Sequence, residues 1–244
     1  MKTPPQFTST EIFKTPMWHI LAPEFLSALN KASDPHIKKS RKFLSPIIKK
    51  RNKEFKKDIG DYGLIAHSTS LINELPFDSF KEFIGKHAAD FLIWQGWDIN
   101  LYNFFYSEMW VQEFPKAGGG YHQTHTHWNG HVSGFYFLKC SPRTSYPLFH
   151  DPRSGASMNR LPEKEISKIT YATETTNHHV TPGQLIMIPS YLPHSYTLDP
   201  GLDPFRFIHF NIQAVPKKFV EQTFDDSRGW NRRLYNGAYS EKKI

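Results

Sequence analysis

Four of the thirteen histidines fall within Gly119–Gly134, two of them as His125-Thr126-His127. In a strand, residues i and i+2 point to the same side, so this pair can offer two imidazoles to one ion. Imidazole suits iron, zinc, copper and nickel. Taken alone, such a pair equally describes polar surface or hydrogen-bonded histidines. By the same parity His122 should face away, and His131 falls at a turn. A second segment, Pro182 to His194, answers the first. Gly183 makes a turn, Leu185–Ile188 enters the core, and Pro189 and Pro193 stiffen the approach to His194. His125, His127 and His194 are therefore the predicted metal ligands.

Twelve residues after His194, Arg206 lies inside the apolar run Phe205–Ile212. A buried guanidinium needs an anion, and its planar fork matches a carboxylate. That carboxylate can belong to a ligand, or to Asp199, Asp203 or another acid of the chain.

These residues must be held by a scaffold. From Tyr102 to Ala214 short strand candidates alternate with Gly, Pro, Asn and Asp: Tyr102–Phe114, Tyr121–His127, His131–Lys139, Tyr146–His150, His178–Thr181, Gln184–Ile188, His194–Leu198 and Phe205–Gln213. Many short strands without intervening helices predict an antiparallel sandwich or barrel. The longest break, Arg153–Ser167, is a candidate lid or selectivity loop. Upstream, residues 1–20 read as an extended lead-in. Ala22–Ala32 reads as a short helix, and His36–Lys57 as a lysine-rich helix broken at Pro46, packing by a thin stripe. Ser79 and Glu82 form a capping-box pattern ahead of a helix running to about Trp94, with His87 a hydrogen-bonded core histidine. Phe219–Phe224 reads as a helical turn. The chain is thus mostly β with N-terminal helices. It divides into a mainly helical region 1–100, a β core 101–215 and an extension 216–244.

Composition bounds the function. The net charge of +7 is concentrated in Lys38–Lys57 and the C-terminal tail, which favours a solvated basic face over a nucleic-acid surface. With Cys140 the only cysteine, no intrachain disulfide can form, and a reducing cytoplasm is the expected setting. No apolar window is long enough to span a membrane, and no signal peptide is visible. Oligomeric state is left open.

The order His125-x-His127, then Pro-Gly-x-Leu-x-x-x-Pro-Ser-x-x-x-His194, then Arg206 in a strand ending Phe210-Asn211, resembles the Fe(II)/2-oxoglutarate-dependent oxygenases. It is most similar to the branch found in bacteria and phages. Trp110, Ser133-Gly134-Phe135-Tyr136-Phe137 and Asp151-Pro152-Arg153 extend the match, which covers about Asn103 to Ala214. The resemblance implies a double-stranded β-helix (a jelly-roll or cupin-like core), Fe(II) and 2-oxoglutarate as cofactors, O2 as co-substrate, and hydroxylation of an unidentified substrate with release of succinate and CO2. Arg206 would then pair with the distal carboxylate of 2-oxoglutarate, with Tyr136 and Asn211 nearby. One departure stands out. His127 occupies the position where the family's usual triad has Asp or Glu, so either three histidines hold the ion, or a water or Asp151 completes the shell.

The same histidines also resemble a cupin, which makes a three-histidine dioxygenase without 2-oxoglutarate the enzyme alternative. A basic metal- or nucleic-acid-binding module using Lys38–Lys57 is the non-enzyme alternative. Its sparse aromatics, Phe43 and Phe55, argue against base stacking.

Overall fold

The computed structural model describes residues 8–128 and 130–218. The eight core strands are β3 (Tyr102–Glu113), β4 (His122–His125), β5 (Val132–Lys139), β6 (Pro147–His150), β7 (Thr175–Asn177), β8 (Gln184–Pro189), β9 (His194–Tyr196) and β10 (Arg206–Pro216). They are flanked upstream by β1 (Trp18–Leu21) and β2 (Ala66–His67). One sheet has the order β1-β8-β5-β10-β3-β2 and the other β4-β9-β6-β7, with antiparallel pairing throughout. From β3 to β10 the chain crosses repeatedly between the two sheets. That path is a double-stranded β-helix, as the resemblance implied.

Alternation along the strands builds two cores. Phe114, Phe135, Phe137, Phe149, Ile186, Ile188, Tyr196, Phe205 and Phe207 fill the space between the sheets. Met109, Val111, Tyr136, Leu185, Ile208 and Phe210 face the other way, onto the helices α1 (Leu26–Phe55) and α2 (Asp78–Trp94). At Gly134 any Cβ would collide with the Phe210 ring, so only glycine lets β5 and β10 close here.

Several expectations are corrected. The two N-terminal helices are one continuous helix of 30 residues, with Pro35 and Pro46 inside it. The carbonyls that lose their donors belong to Lys31 and Lys42, which are exposed, so water can replace the lost bonds. Its buried stripe is thin, as predicted: Leu29, Ser33 and Ile37. The capping box does not form. A 3-10 turn over Leu75–Phe77 runs straight into α2, so Ser79 lies inside the first turn and backbone bonds serve as the cap. His87 behaves as expected, its Nδ1 2.8 Å from the Phe83 carbonyl. The strand expected at His178–Thr181 lies earlier, at Thr175–Asn177. The lead-in forms β1 and completes the edge beside β8. The turn expected at Phe219–Phe224 lies outside the described residues. No helix among the described residues is long and apolar enough to cross a membrane.

Candidate metal centre

His194 projects inward from β9, fully buried, and donates from Nδ1 to the Leu192 carbonyl at 2.9 Å. His125 ends β4, and its Nδ1 lies 2.7 Å from the Gln123 carbonyl. Each backbone contact fixes the tautomer that leaves the Nε2 lone pair free, the arrangement an imidazole ligand needs. His127 lies beyond the strand. Its backbone N–H donates to Ser190 at 2.9 Å, and its Nε2 comes within 3.2 Å of the His194 Nε2. One nitrogen from each of His125, His127 and His194 falls within 4.8 Å of the others. The sequence-predicted triad is thus brought together, although His127 arrives by a loop anchor rather than by strand parity.

Burial, with repulsion from neighbouring rings, lowers the pKa of both His127 and His194 to about 3. Both are neutral at physiological pH, the state in which imidazole binds metal. His122 departs from expectation. A register shift between His122 and His125 turns it inward, where its Nε2 meets Gln112 at 2.7 Å and burial lowers its pKa to about 4.

The histidines line a cavity of about 640 Å³ with His67, Glu108, Trp110, Trp128, Phe135, Phe207, His209 and Asn211 among its walls. Asn211, expected beside 2-oxoglutarate, lines this cavity and meets a histidine. Its Nδ2 lies 3.1 Å from His127 Nδ1 and donates to Glu108 Oε2 at 2.6 Å. Ser133 donates to Asn211 Oδ1 at 2.5 Å, fixing the amide.

Arg206 and Tyr136 are corrected. Both point to the helix side of the sheet. Arg206 donates to Glu113 through Nε and to Asp34 through Nη1, each at 2.6 Å. It is therefore the structural ion pair that the sequence left open, with acids 93 and 172 positions away. Tyr136 donates to the Ala22 carbonyl at 2.7 Å and packs on Phe80. Asp151 does not complete the shell. It pairs with Arg153 and Arg160 beside a separate cavity, and no described lining residue of the histidine cavity comes from 153–167. Sequence reasoning missed Glu108 and His209. Strand parity was the available signal, since His209 shares the face of Asn211, and Glu108 that of Trp110.

The chain is thus a double-stranded β-helix with three imidazoles converging at its mouth. The family described as "Putative 2OG-Fe(II) oxygenase" matches residues 108–203, the span containing all three histidines. That family is described by its iron and 2-oxoglutarate chemistry, and the matched stretch spans the strands β4 to β9. No curated protein matches the sequence. Among solved structures, a Pseudomonas putida prolyl-4-hydroxylase is similar at 12% identity and TM-score 0.48, over 82% of this chain and 94% of that one. The viral collagen prolyl hydroxylase of Paramecium Bursaria Chlorella virus-1, in its 2-oxoglutarate complex, is similar at 14% identity and TM-score 0.48, over 82% and 96%. HygX from Streptomyces hygroscopicus, with nickel and 2-oxoglutarate bound, follows at 10% identity and TM-score 0.46, over 83% of each chain. The fold assignment rests on the strand topology.

The three imidazoles fit a divalent metal. For 2-oxoglutarate the cavity supplies room and neutral polar groups, but no lysine or arginine among its described lining residues.

Proposed function

We propose that the protein is a hydroxylase in which His125, His127 and His194 hold Fe(II). The convergence of three ligand nitrogens within 4.8 Å at the mouth of a cavity carries this reading. The overall change would be R–H + O2 + 2-oxoglutarate → R–OH + succinate + CO2. Bound iron supplies O2 activation and chelation of the 2-oxo acid. The chain supplies position and exclusion of water. The Gln123 and Leu192 carbonyls aim His125 and His194. Asn211 and Glu108 steer His127. Phe135, Phe207 and Trp110 wall the cavity with apolar surface, and Phe137, Phe149 and Phe205 pack the sandwich beyond. Trp128, 90% exposed on the cavity lining, is placed to meet substrate at the entrance.

Arg206 is not part of this assignment, so the distal carboxylate of 2-oxoglutarate would be received by neutral polar groups of the cavity wall, such as Ser107 and Thr126. The all-histidine set and the outward arginine also suit a three-histidine dioxygenase that ignores 2-oxoglutarate. One assay separates the two: oxygen-dependent formation of succinate from 2-oxoglutarate with iron present. Succinate is expected from the wild type, and none from His125→Ala/His194→Ala. Oxygen uptake independent of 2-oxoglutarate would favour the alternative, and no turnover across a panel of substrates would overturn both.

A further inference from the structure

A second set of ligand atoms lies behind the three histidines. Glu108 from β3, His209 from β10 and His127 place one oxygen and two nitrogens within 4.8 Å of one another. Glu108 Oε2 is 3.7 Å from His209 Nε2 and 4.0 Å from His127 Nδ1. His127 therefore faces this set with Nδ1 and faces His194 with Nε2.

His209 is the residue that demands an explanation. It is 0% exposed, and neither ring nitrogen has a hydrogen-bond partner. The Gly134 carbonyl lies close by without reaching bonding geometry. Buried polar groups are ordinarily satisfied. Stacking on His127 at 4.5 Å and Trp110 at 4.7 Å fixes the plane of the ring but satisfies neither nitrogen. A buried, fixed, unpartnered imidazole 3.7 Å from a carboxylate is placed as a metal ligand would be.

We propose that Glu108, His127 and His209 form a carboxylate-bearing site for a first-row divalent cation, alternative to the three-histidine set and sharing His127 with it. Two imidazoles and one carboxylate suit iron, manganese, cobalt or zinc. Asn211 Nδ2 now sits between Glu108 and His127, at 2.6 and 3.1 Å. A neutral His127 ring serves one cation at a time, so the chain holds a single ion with two neighbouring positions. The second position supplies the negative charge that the three-histidine set lacks.

Anaerobic titration with Co(II), followed by visible absorption and calorimetry, tests this without O2, 2-oxoglutarate or turnover. His125→Ala/His194→Ala is expected to bind one Co(II) with Kd within about tenfold of wild type, and adding Glu108→Gln to weaken it by about 100-fold. A double variant that binds no tighter than the triple variant overturns the proposal. If circular dichroism shows the double variant unfolded, His125→Ala with and without Glu108→Gln gives the same comparison, and equal Kd values overturn it. Loss of succinate formation with Co(II) binding retained would leave this site standing and bear only on the hydroxylase assignment.

Discussion

Strand β10 delivers alternate residues to two different environments. Phe207, His209 and Asn211 face the cavity, while Arg206, Ile208, Phe210 and Ile212 face α1 and α2. Both faces are buried and both carry polar groups. On the helix side the polar group is saturated: Arg206 bonds Glu113 and Asp34, and Glu113 also takes Arg41 at 2.7 Å. On the cavity side His209 has no partner, and Asn211 holds a histidine in place. A buried charge with its partners complete is part of the scaffold. On the cavity side the unpartnered His209 ring stands beside a carboxylate and a second imidazole, the setting on which the proposed cation site rests.

Acid should break this contrast most severely, and on one face only. Burial lowers the pKa of His127 and His194 to about 3 and of His122 to about 4. The unfolded chain binds protons from about pH 6.5 downward, whereas the folded chain resists until pH 4 or below. These groups therefore stabilise the metal-free fold fully above pH 6.5, and that stability drains as the pH falls toward 4. At pH 5 the loss is about 2 kcal/mol for each of the three histidines, read from urea midpoints. A metal-free protein equally stable at pH 7 and pH 5 would break the assignment of these rings as buried and neutral.

The scaffold face should respond next. Arg206→Ala leaves Glu113 and Asp34 short of a partner. Because Arg41 still reaches Glu113, the expected cost is about 3 kcal/mol, the low end for a broken buried pair. Metal affinity of the folded fraction should stay unchanged, and a loss of affinity there would return Arg206 to the site. Asn211→Ala should do the reverse, weakening metal binding about 10- to 100-fold through His127. Calorimetric Kd values check both. Tyr136→Phe removes only the bond to Ala22 and should cost about 1 kcal/mol, with metal binding and turnover untouched.

Much of this was legible in the sequence. Turn residues between short apolar runs located the strands, including those buried on both faces, such as β8, which read as a continuous apolar run rather than as alternation. The histidine spacing pointed to three rings that the fold does bring together. Parity also held information that the motif match obscured. Arg206 and Asn211 are an odd number apart, so a regular strand cannot turn both to one site, and choosing Asn211 for the cavity excludes Arg206. What was not legible depends on distant or irregular features. The partners of Arg206 come from β3 and α1. The register shift that turns His122 inward lies within three residues of β4. The continuity of α1 through two prolines depends on which carbonyls face water, which the tertiary structure decides.

His127 is common to both proposed sets of ligand atoms, so its loss is the most direct test of the centre. Fe(II) binding should be measured anaerobically on wild type and His127→Ala, with folding verified by circular dichroism. The expected result is affinity weakened by about 100-fold or more in a folded protein. Unchanged affinity would contradict the placement of the metal between the sheets.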